Sequence, residues 1–173
     1  MLRSAMQLTS QPYVSPYKIN GSGSGRVDIS AAANAGFTMH QSTGTMLNYV
    51  YSNIGDPRTF NLPSIMDTRC VVDCTWRRAV TSQLDITATY TTTFELWSGA
   101  GFDVSVSPST FELGPGASQV LEFTMDVSAL PVGTVGTGQV WFETEAVDVP
   151  DLHIPVYAKS TGSSLAAAVV DNA

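Results

Sequence analysis

Residues 118–127, SQVLEFTMDV, change character at every step: Leu121, Phe123, Met125 and Val127 fall on one side of an extended chain, Val120, Glu122, Thr124 and Asp126 on the other. Strand side chains point alternately to two faces, so this segment reads as a strand with one buried and one wetted face. TATYTTTFEL (87–96), FDVSVS (102–107), TGQVWFET (137–144) and LHIPVYAK (152–159) are similarly rich in Val, Thr, Tyr, Phe and Trp. Between them stand the turn sequences SGAG, SPST, LGPGAS and LPVG. Short strands at this spacing, with no helical periodicity between them, predict a mainly β, antiparallel sandwich.

Before about residue 56 the pattern is helical. In MLRSAMQLTS, Leu2, Ala5, Met6 and Thr9 follow i, i+3, i+4, i+7 and fall on one face of a helix. A helix starting at the initiator Met without an N-cap is an odd natural start. Asp28 is placed to cap a second short helix ending at Gly36, a residue suited to a left-handed C-terminal position. Thr43 or Thr45 would cap a third, stopped by Gly55 with Pro57 beyond.

The 173 residues suffice for one domain with a real core, and 43% hydrophobic against 13% charged residues describe a globular chain. A formal net charge of −7 argues against a nucleic-acid backbone as partner, because too few Lys and Arg are present to neutralise phosphates. Ten acids lie within 79–158 without one Lys or Arg. That asymmetry reads as a solvated acidic face or, more sharply, as a cation-binding surface. No apolar run reaches the about 20 residues of a membrane span, and the first residues lack the apolar core of a secretory signal.

Catalytic chemistry finds little purchase. His40 lies in a polar loop and His153 inside a strand, where it reads as a packed or surface residue. GSGSG (21–25) has Gly23 where a nucleophile elbow needs serine, lacks a phosphate-loop ending, and reads as a flexible surface loop. Asp148, Asp151 and His153 cluster without calcium-loop spacing. Cys70 and Cys74 have three intervening residues, not the two of a redox motif, and no second ligand pair for zinc. A disulfide closing a tight turn, or two free buried thiols, remain. The disulfide would mark where the strand at 75–82 begins and would imply an oxidising compartment. In that strand Trp76, Arg78 and Val80 share one face, Trp76 as its anchor and Arg78 as a structural base able to pair with acids of neighbouring strands.

NLPSI (61–65), CTWRRAVT (74–81), ATYTTTF (88–94), FDVSVSPSTFELGPGASQVLEFTMDVS (102–128) and LHIPVYAK resemble, in order, the fibronectin type III-like domain that follows the protease domain of large secreted subtilases. Arg77 stands where that family usually has a small polar residue, and Ser82 replaces its Asn. RSAMQLTS (3–10) and GSGRVDISAAANAG (23–36) are similar to the late helix and closing segment of the subtilase catalytic domain. The resemblance implies a division into a catalytic-domain remnant (1–56), a fibronectin type III-like sandwich (57–160), and a linker or tail (161–173). It also implies that the Asp, His and Ser motifs of the family belong before this stretch. None is present, so no catalytic, cofactor or metal residue carries over.

The expected function is therefore the non-catalytic C-terminal part of a secreted subtilisin-like protease. Its partners would be the missing catalytic domain and a protein substrate or extracellular surface. Residues 1–55 should then expose Leu2, Met6, Val27 and Ile29. The alternative is a stand-alone module for adhesion or glycan binding, with Trp97 and Trp141 as a sugar platform or, more plainly, as packed residues.

Overall fold

The computed structural model describes residues 1–12 and 23–162. Among the described residues three short helices come first, α1 (Leu2–Leu8), α2 (Ile29–Ala33) and α3 (Thr43–Ser52), with a two-residue strand β1 (Phe37–Thr38) between the last two. After a 3-10 turn at Pro57–Thr59 the chain is all strand: β2 (Ile65–Cys70), β3 (Asp73–Ser82), β4 (Ala88–Ser98), β5 (Asp103–Ser107), β6 (Thr110–Leu113), β7 (Ser118–Asp126), β8 (Val135–Glu143) and β9 (Leu152–Ser160). These make a four-stranded sheet ordered β1-β3-β7-β5 and a five-stranded sheet ordered β2-β9-β8-β4-β6. Every pairing is antiparallel except β2 with β9. The mainly β sandwich with a short helical segment before it is the expected fold class.

The alternation in β7 is the alternation of burial. Leu121, Phe123, Met125 and Val127 are buried, while Val120 and Asp126 are exposed. Phe142 lies at the centre of the core, its ring packed edge-on against Phe37 at 5.2 Å and against Phe111 and Phe123 at 6.4 Å. Phe37 comes from the helical segment, so that segment contributes both a strand and a core ring to the sandwich.

Several local expectations need correction. The buried side of α1 is Ser4, Ala5 and Leu8, with Thr9 beyond. Ser4 accepts the Met39 N–H at 2.8 Å and Leu8 joins the core, and those two contacts set the helix rotation. Leu2, Val27 and Ile29 are exposed, at 72%, 54% and 77%, while Met6 is half-buried against the core. Asp28 does cap α2, accepting the Ala31 N–H at 3.0 Å, but the helix closes at Asn34.

Gly36 serves a different purpose. A Cβ there would overlap the Tyr90 hydroxyl and meet Val149 Cγ1 at 2.9 Å. Ser42 occupies the N-cap position of α3, and the left-handed stop is Asn53 (φ 52°) rather than Gly55. Of the GSGSG loop, Gly21 and Ser22 lie outside the described residues. Ser24 is docked rather than loose, its carbonyl accepting from Ser10 Oγ at 2.6 Å. Of the tail, residues 163–173 lie outside the described residues, and the Thr161 N–H still bonds the Cys70 carbonyl at 2.8 Å.

The Tyr90 hydroxyl is buried without a partner among the described residues, and burial pushes its pKa up to about 12. Gly36→Ala should therefore cost about 1–3 kcal/mol through overpacking. Tyr90→Phe alone should be near neutral, since it removes an unpaired group. Combined with Gly36→Ala it should recover part of that cost, read by urea unfolding of the four proteins. Strict additivity of the two changes would contradict this account.

Candidate functional site

Two constellations stand out, one inside the sandwich and one on its outer face. The first is built on β3. Trp76, Arg78 and Val80 face inward and are buried, as the alternation predicts. Arg78, 3% exposed, pairs with no carboxylate among the described residues, contrary to expectation. Its Nε donates to the Leu62 carbonyl at 2.9 Å, Nη1 to Arg58 and Arg77 carbonyls at 3.1 and 2.8 Å, and Nη2 to Ser64 at 3.2 Å. The planar guanidinium carries five N–H donors in a fixed fork, and a ring of carbonyls takes up four of them without a second buried charge.

Burial still lowers the Arg78 pKa to about 10. Its guanidinium carbon lies 5.3 Å from the Trp76 ring centre, within cation–π reach. Arg77, pointing outward, is the base that pairs with an acid, Glu122 at 2.8 Å.

Asn61 completes this clasp. Its amide N–H₂ donates to the Ala79 carbonyl at 2.7 Å and its oxygen accepts the Ala79 N–H at 2.8 Å, continuing the β3 ladder past β1. The NLPSI and TWRRA stretches are thus two halves of one hydrogen-bonded device. Cys70 and Cys74 are disulfide-bonded and join the end of β2 to the start of β3. A loop this short removes little unfolded-state entropy, about 2 kcal/mol, so the bond acts chiefly on local geometry.

The second constellation is on the outer face of the five-stranded sheet. Register places Glu95 opposite Gln139, and a bulge between Leu96 and Ser98 leaves Trp97 without a partner on β8. Bulges of this kind re-aim side chains. Glu95 Oε2 accepts from Trp141 Nε1 at 2.8 Å and from Gln139 Nε2 at 2.6 Å. The Trp141 and Gln139 donors hold the Glu95 carboxyl below its usual range, with nearby Trp97 acting in the same direction. Gln139 is only 2% exposed, and its Oε1 has no partner among the described residues. Both tryptophans are half-buried.

The family model of the fibronectin type-III domain matches residues 59–156. This chain belongs to the fibronectin type-III family. A search of curated proteins finds no match. Among solved structures, the chain is similar to the secreted serine protease VesC from Vibrio cholerae, at 13% identity over 63% of this chain and 24% of that one, with a TM-score of 0.43. It is also similar to a chain of the CsuC–CsuE chaperone–adhesion subunit complex from Acinetobacter baumannii, at 14% identity over 59% of this chain and 56% of that one, TM-score 0.43. A third is the ASH/PapD-like domain of human CEP192, at 12% identity over 64% and 92% of the two chains, TM-score 0.42. The chain thus spans about a quarter of the first structure and just over half of the second.

As a fibronectin type-III domain the sandwich is a non-catalytic module. Its remaining titratable candidates do not converge. His40 is exposed. His153 is 1% exposed on β9, with Nε2 at 3.0 Å from the Ser24 carbonyl and its ring 5.1 Å from that of Trp141. Asp151 accepts the Thr144 N–H, away from His153, and no group of three metal-type ligands gathers among the described residues. Nor is any described helix long and apolar enough to cross a membrane. Glu95, Gln139 and Asn61 were missed by sequence reasoning. Glu95 and Trp97 stand two apart on a strand, which was a usable signal for one face, but the β4–β8 register that adds Gln139 and Trp141 was not legible.

Desolvation is the largest influence on His153 and lowers its pKa below the ordinary 6.5. The folded state therefore binds fewer protons than the unfolded state in the window below 6.5. Its contribution is present above that pH and is lost as pH falls through the window toward the folded value. Urea unfolding at pH 7.5, 6.5 and 5.5 should show stability falling with pH, and His153→Gln should flatten the slope. An unchanged slope in the variant would exclude His153 as its source.

Proposed function

We propose that this fibronectin type-III chain is the non-catalytic C-terminal part of a secreted subtilisin-like serine protease, its sandwich stabilising the protease domain or positioning substrate or a surface beside it. The observation that carries the reading is the order of motifs over residues 3–159, which resemble the end of that catalytic domain followed by its accessory sandwich. The exposed apolar residues of the first segment support it. Leu2, Val27 and Ile29 point outward, and α3 adds Leu47, Val50 and Tyr51 at helical spacing, with exposed Ile54 just past its end. Exposed apolar groups gathered in this way mark a contact surface. The Cys70–Cys74 disulfide fits an oxidising, extracellular setting.

The purified chain should hydrolyse neither casein nor peptide substrates. Leu2→Ser and Ile29→Ser should leave its own stability within about 0.5 kcal/mol, because both side chains face outward. Placed after a subtilisin-like catalytic region in one polypeptide, the same substitutions should lower the melting temperature of the whole. Turnover that scales with the chain and is blocked by a serine-directed inhibitor would overturn the proposal, as would substitutions that stay silent in the joined protein.

A further inference from the structure

The outer face of the five-stranded sheet carries a continuous acidic and aromatic strip. At one end lie Glu95, Trp97, Gln139 and Trp141. Four residues along the same ladder, Thr91 stands opposite Glu143. There an open cleft of about 680 Å³ is lined by Thr89, Thr91, Glu143, Glu145 and Asp151 among others. No Lys or Arg occurs anywhere in residues 79–158, and neither Glu95 nor Glu143 forms an ion pair among the described residues.

The Glu95 niche is built to meet a cation. The Trp141 indole N–H is tied to the carboxylate, which holds the ring in place beside the negative charge. Indole faces attract ammonium and guanidinium groups. The carboxylate uses Oε2 for its two bonds to Trp141 and Gln139, and no partner is recorded for Oε1 among the described residues. Gln139, buried on this face with its amide against Glu95, holds a second acceptor, Oε1, with no donor. Gln139 Oε1 is sealed from solvent and out of a ligand's reach; the open acceptor is the Glu95 carboxylate, and a guanidinium offers it several N–H groups in one plane.

We infer that this strip binds an extended basic peptide, with one arginine in the Glu95–Trp97–Trp141 niche and a second at the Glu143–Asp151 cleft. Four strand residues span about 13 Å, so arginines four apart in an extended peptide, pointing to one side, match the two positions. The partner is set by charge: a polyanion is repelled, and a neutral ligand leaves the carboxylates uncompensated. The inference does not depend on which domain the sandwich accompanies.

The test titrates the full chain with a capped hexapeptide of alternating threonine and arginine, following tryptophan fluorescence. A peptide with citrulline in place of arginine keeps the shape and hydrogen-bonding capacity but loses the charge. Saturable binding should weaken at least about tenfold with the citrulline peptide and with Glu95→Gln, since each removes a charge-assisted pair. It should weaken again as salt rises through the range that screens exposed charges. Trp97→Leu, a half-buried position at the bulge, gives a second variant with the same expected direction, and near-ultraviolet circular dichroism reports whether either variant keeps its fold. No saturable response at millimolar peptide, equal binding of the citrulline peptide, or a response to neutral maltohexaose in place of the arginine peptide would each overturn the inference.

Discussion

Replacing Arg78 with methionine should lower the unfolding free energy by about 3–4 kcal/mol. Methionine has nearly the length of the arginine stem, so the loss measures the hydrogen bonds more than the packing. Carbonyls of Arg58, Leu62, Ser64 and Arg77 would lose their donor together, and all four bonds are partly buried. Each charge-assisted bond is worth more than a neutral one, but the four act as a unit and do not add. Arg78→Lys should recover less than half, because a single ammonium cannot span acceptors on three sides. For a domain of this size the methionine variant should melt roughly 10 °C lower. A loss under about 1 kcal/mol would show that water replaces the guanidinium freely, and that the clasp between residues 58–64 and β3 holds by other contacts.

Phe142→Ala should cost about 3–5 kcal/mol, the range for deleting a fully buried phenyl ring. The ring touches three others, from β1, β6 and β7, so its removal opens a cavity shared by both sheets. Of the strands around it, β7 and β8 are hydrogen-bonded on both sides and cannot move in to close it, whereas β1 and β6 are sheet edges. Phe142→Leu should retain the larger part of the stability, because it keeps most of the volume. Urea midpoints with an unchanged m-value would assign the loss to the folded state. A cost near 1 kcal/mol would mean that Phe37 and Phe111 collapse into the space, and that the helical segment is more loosely held than its strand pairing suggests.

The sandwich itself was legible because its signal is local. The period-2 alternation in 118–127 and 75–82 decides which side chains go inward, and the buried set in β7 and β3 follows it residue for residue. Three strands escaped because the signal was weak or absent, Ile65–Cys70 among them. Phe37–Thr38 is too short to show a period, and Thr110–Leu113 follows a turn after only four residues. The parallel pairing of β2 with β9 was hidden for another reason: it joins residues some 90 positions apart, and no local pattern states which edge a strand will take.

The helical ends show the opposite failure. Gly36 and Gly55 were read as left-handed stops, a sound use of glycine's freedom. Yet Gly36 is small because Tyr90 sits over it, and the left-handed stop of α3 falls on Asn53, which also tolerates that conformation. A glycine that makes room for a side chain of another strand looks, in one dimension, like a glycine that ends a helix.

By itself, then, the amino-acid order determined the strand faces, the placing of Trp76 and Arg78 on one buried side, and the family motifs at 61–65 and 74–81. Each depends on spacing within a few residues and on which side chains water excludes. Tertiary structure alone decided what meets those faces: a ring of carbonyls around Arg78 instead of a carboxylate, Asn61 against Ala79, and the gathering of Glu95, Trp97, Gln139 and Trp141 across β4 and β8. Those partners come from chain segments brought together only by sheet register, and register is an outcome of the whole core's packing rather than of any one stretch.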